Sequence, residues 1–479
     1  MNPLSDLKHV HIIGVCGTLM GSFAAFLKRA GIRVTGSDQN VYPPMSDVLK
    51  NAGVELYSGY KAENLQQMSS KPDLVVIGNV ISATNPEAKF AIESGYAYSS
   101  LPEFMQKWML PQTRNLVVAG THGKTTTSSL LAHVLNSAGA KPSYFIGGVS
   151  QDLPFSFNVT DLSSKNYFVL EGDEYDTAFW AKVPKFNFYL PDDVILTSVE
   201  YDHADIYPDL AAVVRAFEGL VTRVRPGGRM IACIDYPEIP KLLKQAKVPV
   251  ITYSTKASSG ADFNPANIKT EKGVTSFDVM EKGKKITSIQ INLSGEYNVM
   301  NALAVWIETR ALGIDAEKIL KGLKTFQGVK RRQEERGEIN GVLVLDDFAH
   351  HPTAVRETLK GLKAKYPDRR VVAIFEPRSA TSRRKVFQKD YTEAFDTAAV
   401  VFIPKPYDQS KINAAEQFSS EQLVADLVAR GRNAYVMSPV DHGGVTQVAE
   451  ICKQGDLVAV LSNGGFDGFI PKLLSALSK

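Results

Sequence analysis

Residues 120–126 have the types and the order that a phosphate-binding loop needs. They read GTHGKTT, follow the apolar run LVVA and precede a helical pattern expected to begin at Thr126. In such a unit glycines let backbone N–H groups surround phosphate oxygens, a lysine reaches the β- and γ-oxygens, and a hydroxyl ligates Mg²⁺. We therefore predict that Lys124 contacts the phosphates from a solvent-facing loop and that Thr125 binds Mg²⁺. The usual first glycine of the motif falls at Val118, so the loop is a shortened variant. The predicted nucleotide-binding residues of this loop are Gly120, Thr121, His122, Gly123, Lys124, Thr125 and Thr126.

Two further strand-like runs end in acidic residues and a histidine. NYFVL runs into EGDEYD at 171–176, and DVILTSVE runs into YDHAD at 201–205. In an open parallel sheet, ligands bind at the carboxyl ends of the strands. Carboxylates and an imidazole suit a Mg²⁺ site, whereas the alternative is that both segments are surface loops that cap helices. We predict Glu171 and His203 as metal ligands together with Thr125, and Lys124, Glu171 and His203 as the catalytic residues.

A weaker nucleotide motif lies near the start of the chain. Gly14, Gly17 and Gly21 follow an apolar run, and Asp38 ends the next one. This arrangement is similar to a dinucleotide fingerprint, but its spacing is GxxGxxxG rather than GxGxxG. A helix N-terminus holds any nucleotide diphosphate, so the segment leaves NAD and a UDP-sugar both open. An NAD-dependent oxidoreductase would leave the phosphate loop unused.

Composition excludes several classes of protein. The 479 residues include 54 Lys plus Arg and 51 Asp plus Glu, and this balance argues against a polybasic nucleic-acid-binding arm. The sequence has no apolar run long enough for a membrane span, and its N-terminus lacks the pattern of a signal peptide. Cys16, Cys233 and Cys452 lie far apart and match no metal-ligand spacing. We expect a cytoplasmic, multidomain enzyme with no nucleic-acid or membrane partner and leave its oligomeric state open.

The strands and helices that must position these residues are predicted by one pattern, which begins anew three times along the chain. Each restart is an apolar run, a glycine-bearing or polar turn and an amphipathic helix, which predicts an α/β fold with three largely parallel sheets. Polar stretches divide the chain into a Rossmann-like domain at 1–112, a P-loop ATPase-like domain at 113–329 and a second Rossmann-like domain at 330–479. Within 250–292 the alternating segment TSFDVMEKGKKITSIQI predicts a small antiparallel appendage.

Five motifs, in chain order, resemble those of the Mur ligases, which join amino acids or peptides to UDP-N-acetylmuramic acid. They are GTHGKTTT, EGDEYD, EYDHAD, GEYNVMN and DDFAHHPT, and the resemblance covers essentially the whole chain. VYPPM, EYDTAFW, YDHAD, FEPRSAT and SNGGFDG are most similar to the member that adds the tripeptide L-Ala-γ-D-Glu-meso-diaminopimelate to UDP-N-acetylmuramate in peptidoglycan recycling. The alternative is the L-alanine-adding member, which typically carries EADESD, DDYGHHP and a QPHR-like segment instead of EGDEYD, DDFAHHP and EPRS.

The resemblance implies a role for each domain. The first binds UDP-N-acetylmuramate, the second binds ATP and Mg²⁺, and the third brings the peptide and closes over the nucleotide. The family's further nucleotide contacts match Asn298, Asn301, Arg331, Arg332 and Asp347. The positions expected to contact the UDP-sugar or the peptide are Gly14, Gly17, Thr18, Ser37, Asp38, His350, His351, Arg378, Ser379 and Thr381.

The resemblance also implies a mechanism in which ATP converts a carboxylate into an acyl phosphate, which the peptide amine attacks. Two family features are absent. The stretch PDLAAVVRAFEGLV has no lysine where several Mur ligases carry a carbamylated one, and Glu218 is either a substitute carboxylate or a solvated helix residue. The DNPR segment that reads free diaminopimelate is also missing. A different class stays open, namely a P-loop ATPase or kinase whose third domain binds a partner.

Overall fold

The computed structural model describes residues 4–41 and 45–479, without the side chain of Met45. Residues 42–44, which belong to the VYPPM motif, lie outside the described residues. Strands alternate with helices along the described chain and form three mainly parallel sheets. The predicted fold class is confirmed.

The N-terminal sheet is fully parallel in the order β3-β2-β1-β4-β5. Its strands are β1 (His9–Ile13), β2 (Arg33–Asp38), β3 (Glu55–Ser58), β4 (Leu74–Ile77) and β5 (Tyr98–Ser99). Its helices are α1 (Thr18–Arg29), α2 (Met45–Asn51), α3 (Glu63–Gln66), α4 (Pro86–Glu93) and α5 (Leu101–Trp108). The strand order reverses between β1 and β4, so the loops that follow these two strands diverge and open a crevice.

The central sheet has ten strands in the order β17-β16-β15-β14-β13-β12-β6-β9-β7-β8. Its first strands are β6 (Arg114–Ala119), β7 (Ser143–Phe145), β8 (Phe157–Asn158), β9 (Tyr167–Gly172) and β12 (Asp193–Leu196). The others are β13 (Arg229–Cys233), β14 (Val250–Tyr253), β15 (Phe263–Glu271), β16 (Val274–Glu281) and β17 (Lys284–Ile291), and a separate hairpin pairs β10 (Asp176–Ala178) with β11 (Ala181–Pro184). The helices are α6 (Lys124–Ser137), α7 (Leu210–Val221), α8 (Ile239–Leu243), α9 (Glu296–Ala311) and α10 (Ala316–Thr325).

The antiparallel segment predicted within 250–292 is present as β15, β16 and β17. Lys282 and Gly283 turn the chain between β16 and β17 with φ of 48° and 81°, the left-handed pair that a tight two-residue hairpin turn requires. β14 pairs with β15 through Tyr253 and Phe263, so this segment extends the parallel sheet rather than forming a separate body.

The C-terminal sheet has the order β18-β19-β23-β20-β21-β22, and only its edge strand β18 is antiparallel. Its strands are β18 (Glu334–Ile339), β19 (Val342–Asp347), β20 (Arg370–Phe375), β21 (Val400–Pro404), β22 (Asn433–Met437) and β23 (Asp456–Leu461). Its helices are α11 (Pro352–Lys365), α12 (Tyr391–Ala394), α13 (Ser420–Ala429), α14 (Gly444–Ile451) and α15 (Phe469–Leu477). Pro352 starts α11 as the sequence predicts, because its fixed φ suits the first helical position.

The N-terminal and central domains share one apolar core. Phe23 packs edge-on against Phe104 and Phe157, with ring centroids 4.9 and 5.7 Å apart, and Phe157 belongs to the central sheet. The C-terminal sheet has apolar clusters of its own, one on each face. None of the helices in the described part of the chain combines the length and the hydrophobicity of a membrane span.

The buried carboxyl of Glu308 lies where β6, β12 and β13 of the central sheet begin, and it makes the free energy of unfolding depend on pH. Glu308 of α9 is fully buried beside Asp193, and Arg114 and Arg229 lie nearby; these three residues are at the starts of three strands. Burial and the charge of Asp193 raise the pKa of Glu308 well above its usual range. Folding therefore takes up a proton once the pH exceeds the unfolded pKa of about 4.3, and stability falls by up to about 1.4 kcal/mol per pH unit until the folded pKa is reached.

We therefore expect Glu308→Gln to raise the melting temperature at pH 8 and to change it little at pH 4, because the amide is neutral at both values. Thermal unfolding of both proteins across this range measures the difference. A difference that does not grow with pH would contradict the assignment of Glu308 as a neutral buried acid.

Candidate active site

The phosphate loop connects β6 to α6 at the carboxyl edge of the central sheet. Gly120 has a φ of 139°, and a side chain there would collide with Thr197 and the backbone of Ser198 on the loop after β12. Gly123 has a φ of 81° and caps α6, so the helix begins at Lys124, two residues earlier than the sequence pattern predicts. Both glycines are required by the backbone, and the first turn of α6 is already formed at the lysine.

The Lys124 side chain is only 13% exposed, so the expectation of a solvent-facing lysine is wrong. Its ammonium donates to the carbonyl oxygens of Gly120 and Thr121 at 2.6 and 3.2 Å and to Glu174 Oε1 at 3.0 Å. Burial lowers the pKa of Lys124, but the charges of Glu174 and Asp173 outweigh it and raise the pKa above its ordinary value. The loop therefore holds a positive charge at the helix N-terminus.

Glu174 joins the phosphate loop to the YDHAD segment. The carboxylate oxygen that binds Lys124, Oε1, also lies 2.9 Å from His203 Nε2. Burial lowers the pKa of His203, and the hydrogen bond and charge of Glu174 raise it to a net value above the ordinary one. His203 has a φ of 56°, and its ring lies 4.1 Å from that of Tyr175. The side chain that the sequence predicts as a metal ligand is thus bound to a carboxylate here.

Glu171 lies beside the first turn of α6. It accepts a hydrogen bond from Thr125 Oγ1 at 2.7 Å and one from the Gly147 backbone N–H at 2.6 Å. Burial raises the pKa of Glu171. The structure thus brings two of the three predicted metal ligands, Thr125 and Glu171, into contact. The third, His203, instead contacts Glu174, the partner of Lys124. The assignment of these three residues as ligands stays a prediction.

A cleft runs from Glu171 to the N-terminal domain. One wall comes from the helices and loops of that domain and the other from the central domain beside the phosphate loop. The lining residues are Leu19, Met20, Asn79, Leu101 and Pro102 on the first wall and Phe145, Gly147, Glu171, Asp173, Thr177 and Lys185 on the second. The N-terminal domain and the loops beside the phosphate loop therefore line one continuous cleft.

The N-terminal loop region brings together the residues predicted to bind the UDP-sugar. Gly14 donates its N–H to the carbonyl of Ser37, and Asp38 accepts hydrogen bonds from the N–H groups of Cys16 and Asn40 at 2.8 and 3.0 Å. Gly17 and Thr18 start α1 next to this loop. Asp38 therefore fixes the backbone of the loop after β1, and the N-terminus of α1 faces the crevice.

The two asparagines of GEYNVMN lie against the phosphate loop. A side chain on Gly123 would come within 2.7 Å of Asn301 Oδ1, and Asn301 donates to Asn298 Oδ1 at 3.3 Å. Asn298 in turn donates to the carbonyl of Ser294 at 2.8 Å. The N-terminal part of α9 therefore meets the start of α6, as expected if these amides lie near the bound nucleotide.

Arg331 and Asp347 organise the C-terminal side of the site. Arg331 donates to the carbonyls of Ser462 and Gly464 at 2.7 and 2.8 Å, and Asp347 accepts from the N–H groups of Gln333 and Ala349, both at 2.8 Å. The guanidinium groups of Arg331 and Arg332 each lie 5.2 Å from the centre of the Phe348 ring. These contacts fix the loops at the carboxyl ends of β19 and β23, and direct nucleotide binding by these residues stays a prediction.

The C-terminal domain contacts the YDHAD segment through polar groups. Thr381 donates to Asp202 Oδ1 at 2.6 Å, and His350 Nε2 lies 3.5 Å from Asp202 Oδ2. His351 Nε2 donates to the carbonyl of Tyr201 at 3.2 Å. Although burial raises the pKa of Asp202, the histidines around it lower it well below its usual range. Three residues predicted as substrate contacts therefore form part of the junction between domains.

His122, Glu200 and His351 form a second junction beside the phosphate loop. Among residues 4–41 and 45–479 they are the only three His, Cys, Asp or Glu side chains whose ligand atoms all lie within 4.8 Å, a spacing that suits a metal. However, His351 Nδ1 accepts from the Thr353 N–H at 3.2 Å while its Nε2 donates to Tyr201. His351 therefore has no free lone pair, and the group acts as an interdomain contact.

Two motifs that are distant in sequence meet on the C-terminal domain. The Arg378 guanidinium lies 3.9 Å from the centre of the Tyr407 ring and 3.3 Å from Glu376, and a side chain on Gly464 would collide with it. FEPRSAT and SNGGFDG thus form one surface. Ser379 instead donates to Ser382 at 2.9 Å and holds its own turn.

Family models match all three domains. The Mur ligase family catalytic domain matches residues 9–113, the Mur ligase middle domain 118–307 and the Mur ligase glutamate ligase domain 331–464. The chain belongs to the Mur ligase family. The predicted family is thereby confirmed.

Individual Mur ligases are similar to this one over their full length. The UDP-N-acetylmuramate–L-alanyl-γ-D-glutamyl-meso-2,6-diaminoheptandioate ligase of Escherichia coli K12 is 37% identical, with 98% of each chain covered. The crystal structure of a murein peptide ligase from Psychrobacter arcticus 273-4 is 33% identical, has a TM-score of 0.71 and matches 98% of this chain and 99% of its own. The UDP-N-acetylmuramate–L-alanine ligase of Clostridium tetani is 35% identical, with 96% of each chain covered.

Several residues of this Mur ligase site were not predicted individually. They are Asp173, Glu174, Lys185, Glu200 and Asp202. Four of them lie in or beside EGDEYD and YDHAD, so the motifs located them, but only the packing shows which acid pairs with which cation. Glu218, considered as a substitute for a carbamylated lysine, instead accepts a hydrogen bond from Gln245 at 3.1 Å.

Proposed function

We propose that this Mur ligase uses ATP to join the tripeptide L-Ala-γ-D-Glu-meso-diaminopimelate to UDP-N-acetylmuramate, with release of ADP and phosphate. One observation carries the proposal. The phosphate loop lies where a cleft from the N-terminal domain and the docked C-terminal domain meet, so three substrates can reach one point. The full-length similarity to the Escherichia coli tripeptide ligase supports this choice of peptide. We propose that the reaction takes place in the cytoplasm.

The phosphate loop supports ATP as the energy source. Its glycines leave backbone N–H groups at the N-terminus of α6 available to bind phosphate, and the helix dipole favours an anion there. Lys124 adds a full positive charge at the same point. We assign the loop, with Asn298, Asn301, Arg331, Arg332 and Asp347, to nucleotide binding.

Thr125 and Glu171 provide a fitting site for Mg²⁺. Their oxygen atoms lie 2.7 Å apart in a partly buried position at the phosphate loop, and hard oxygen donors are the ligands that Mg²⁺ prefers. When bound, the cation neutralises charge on the phosphate oxygens. Thr125, Glu171 and His203 are the residues that we expect to hold it.

The proposed reaction has two steps. The lactyl carboxylate of UDP-N-acetylmuramate attacks the γ-phosphorus of ATP, the bond to the bridging oxygen breaks, and ADP leaves. The amino group of the peptide's L-alanine then attacks the acyl carbon, phosphate leaves with the C–O electron pair, and the amine gives up a proton. Lys124 stabilises the negative charge on the phosphoryl group during transfer.

The C-terminal domain protects the intermediate from water. His350, His351 and Thr381 bind the YDHAD segment of the central domain, and the His351 ring also lies 4.7 Å from that of His122 in the phosphate loop. An acyl phosphate hydrolyses readily, so exclusion of water favours attack by the amine. We propose that 1–112 binds the UDP-sugar, 113–329 the nucleotide and 330–479 the peptide.

A competition assay tests the proposed substrate. The enzyme is given UDP-N-acetylmuramate, ATP and Mg²⁺ with equal concentrations of L-alanine and the tripeptide, and the products are separated by mass. We expect the tripeptide adduct to dominate, because the EYDTAFW, FEPRSAT and SNGGFDG segments resemble those of tripeptide ligases. Preferential ligation of L-alanine would instead support the activity named for the Clostridium tetani relative. ATP hydrolysis that needs neither UDP-sugar nor amine would support a P-loop ATPase.

A further inference from the structure

The hairpin β10–β11 links the EGDEYD segment to the N-terminal domain. Trp180 at its turn packs edge-on against Tyr98, with ring centroids 5.1 Å apart, and its indole N–H lies 3.4 Å from Glu103 Oε1. After β11 the chain returns to the cleft at Lys185. The hairpin therefore braces one wall of the cleft against the domain that faces it.

Lys185 is the one cationic side chain among the described residues that line this cleft. Its ammonium lies 2.6 Å from Asp173 Oδ2, and its side chain is 15% exposed. Lys182, on the hairpin strand β11, also pairs with an acid, Asp176, but its side chain is 67% exposed and is not among the residues that line the cleft. Two lysines three residues apart therefore have different surroundings.

The end of β9 places two lysines around Glu171. Lys124 is held by Glu174 on the phosphate-loop side, whereas Lys185 is held by Asp173 on the side of the N-terminal domain. The charge of Lys124 also acts on both Asp173 and Glu171, so the two lysines belong to one electrostatic cluster. Lys185 lines the cleft and Lys124 does not, so an acceptor bound in the cleft lies against Lys185.

A cation on the cleft wall favours binding of the phosphoryl acceptor. The phosphoryl acceptor is a carboxylate, and the cleft wall already presents Glu171 and Asp173, which repel another anion. An ammonium has three N–H donors, so Lys185 can keep its bond to Asp173 and still donate to an incoming oxygen. A partly desolvated ammonium binds a carboxylate more strongly than an exposed one does.

We propose that Lys185 binds the lactyl carboxylate of UDP-N-acetylmuramate and aligns it for attack on the γ-phosphate. This inference rests on the proposed function and adds a substrate-binding residue to it. No covalent bond forms at Lys185, because the carboxylate oxygen takes the phosphoryl group and the ammonium remains protonated. Asp173 is a positioning residue that holds the ammonium against the cleft wall.

The test compares two ligands that differ at the carboxylate. UDP-N-acetylglucosamine lacks the lactyl group and therefore the charge that Lys185 is proposed to bind. Calorimetric titration without ATP gives the affinity of the wild-type enzyme for each ligand. The measured ratio is the affinity for UDP-N-acetylmuramate divided by the affinity for UDP-N-acetylglucosamine. We expect Lys185→Met to reduce this ratio by about 10- to 100-fold, with UDP-N-acetylglucosamine affinity nearly unchanged. The KM for ATP is expected to stay the same.

Matched variants separate the carboxylate contact from other effects. Lys182→Met removes a lysine from the same hairpin and should keep the wild-type ratio. Lys185→Arg preserves the charge and should retain most of the ratio. Lys185→Met leaves the Asp173 carboxylate without its cation, and this carboxylate could repel the lactyl carboxylate. The double variant Asp173→Asn/Lys185→Met removes that repulsion and tests whether it alone explains the lower ratio. It also carries the test if the single variant fails to fold.

Three results are possible, and each one supports or overturns the inference. A low ratio in both Lys185→Met and the double variant supports the inference. A wild-type ratio in Lys185→Met, or its recovery in the double variant, overturns the inference while the ligase function stands. A wild-type enzyme that neither binds UDP-N-acetylmuramate nor ligates the tripeptide overturns the proposed function and the inference with it.

Discussion

Replacement of Lys124 by alanine is expected to reduce ligation by about two to three orders of magnitude, the loss of roughly 3–4 kcal/mol of transition-state stabilisation. The ammonium is held beside the phosphate loop by Glu174 and two loop carbonyls, so it is already in place when charge develops on the transferred phosphoryl group. Binding of UDP-N-acetylmuramate should persist, since that ligand is assigned to the N-terminal domain.

Positional isotope exchange within labelled ATP measures the first step separately. With UDP-N-acetylmuramate present and no peptide, exchange reports reversible formation of the acyl phosphate. We expect Lys124→Ala to lose this exchange and Lys182→Ala, a change at an exposed lysine, to retain it. Exchange at the wild-type rate in Lys124→Ala would remove Lys124 from phosphoryl transfer and contradict the assignment of the loop.

The same substitution is expected to lower the melting temperature. Lys124 is buried and shares Glu174 Oε1 with His203, so its removal leaves one buried carboxylate with one cation fewer. Breaking a buried pair from one side is destabilising. The unfolding midpoint of each variant must therefore be measured beside its activity, so that a loss of folded protein is not counted as a loss of chemistry.

Replacement of Glu171 by alanine is expected to raise the Mg²⁺ concentration that gives half-maximal activity by at least about tenfold. The change removes a carboxylate and leaves the Thr125 hydroxyl and the Gly147 N–H without their partner. His203→Ala should raise the requirement as well, through loss of a ligand or through release of Glu174. Activity is measured against Mg²⁺ concentration at saturating ATP.

Glu218→Gln is the matched control for this experiment. It changes one carboxylate in the central domain that contacts Gln245 instead of the phosphate loop. We expect its Mg²⁺ dependence to equal that of the wild-type enzyme. Should Glu171→Ala and His203→Ala, both folded, also show the wild-type dependence, these two residues would be ordinary loop residues with no part in metal binding.

The amino-acid sequence alone determined the class of fold and the family, and it predicted where the chemistry takes place. Alternating apolar runs and helical patterns predict parallel sheets, because these periodicities are local properties of the chain. GTHGKTTT and the two acidic strand ends predict the catalytic edge for the same reason, since glycine conformations and strand ends depend on neighbours in sequence. The start of α11 at Pro352 was predictable on this basis too.

Only the tertiary structure decided which of these residues act on one another. Lys124 was expected in solvent, but Glu174 follows it by 50 residues and binds it in a buried pair. Asp202 and Thr381, 179 residues apart, join two domains, and Lys185 lines the cleft next to a hairpin that packs on the N-terminal domain. Burial and pairing depend on contacts between distant segments, and those contacts set the charge of each group and the face it presents to a substrate.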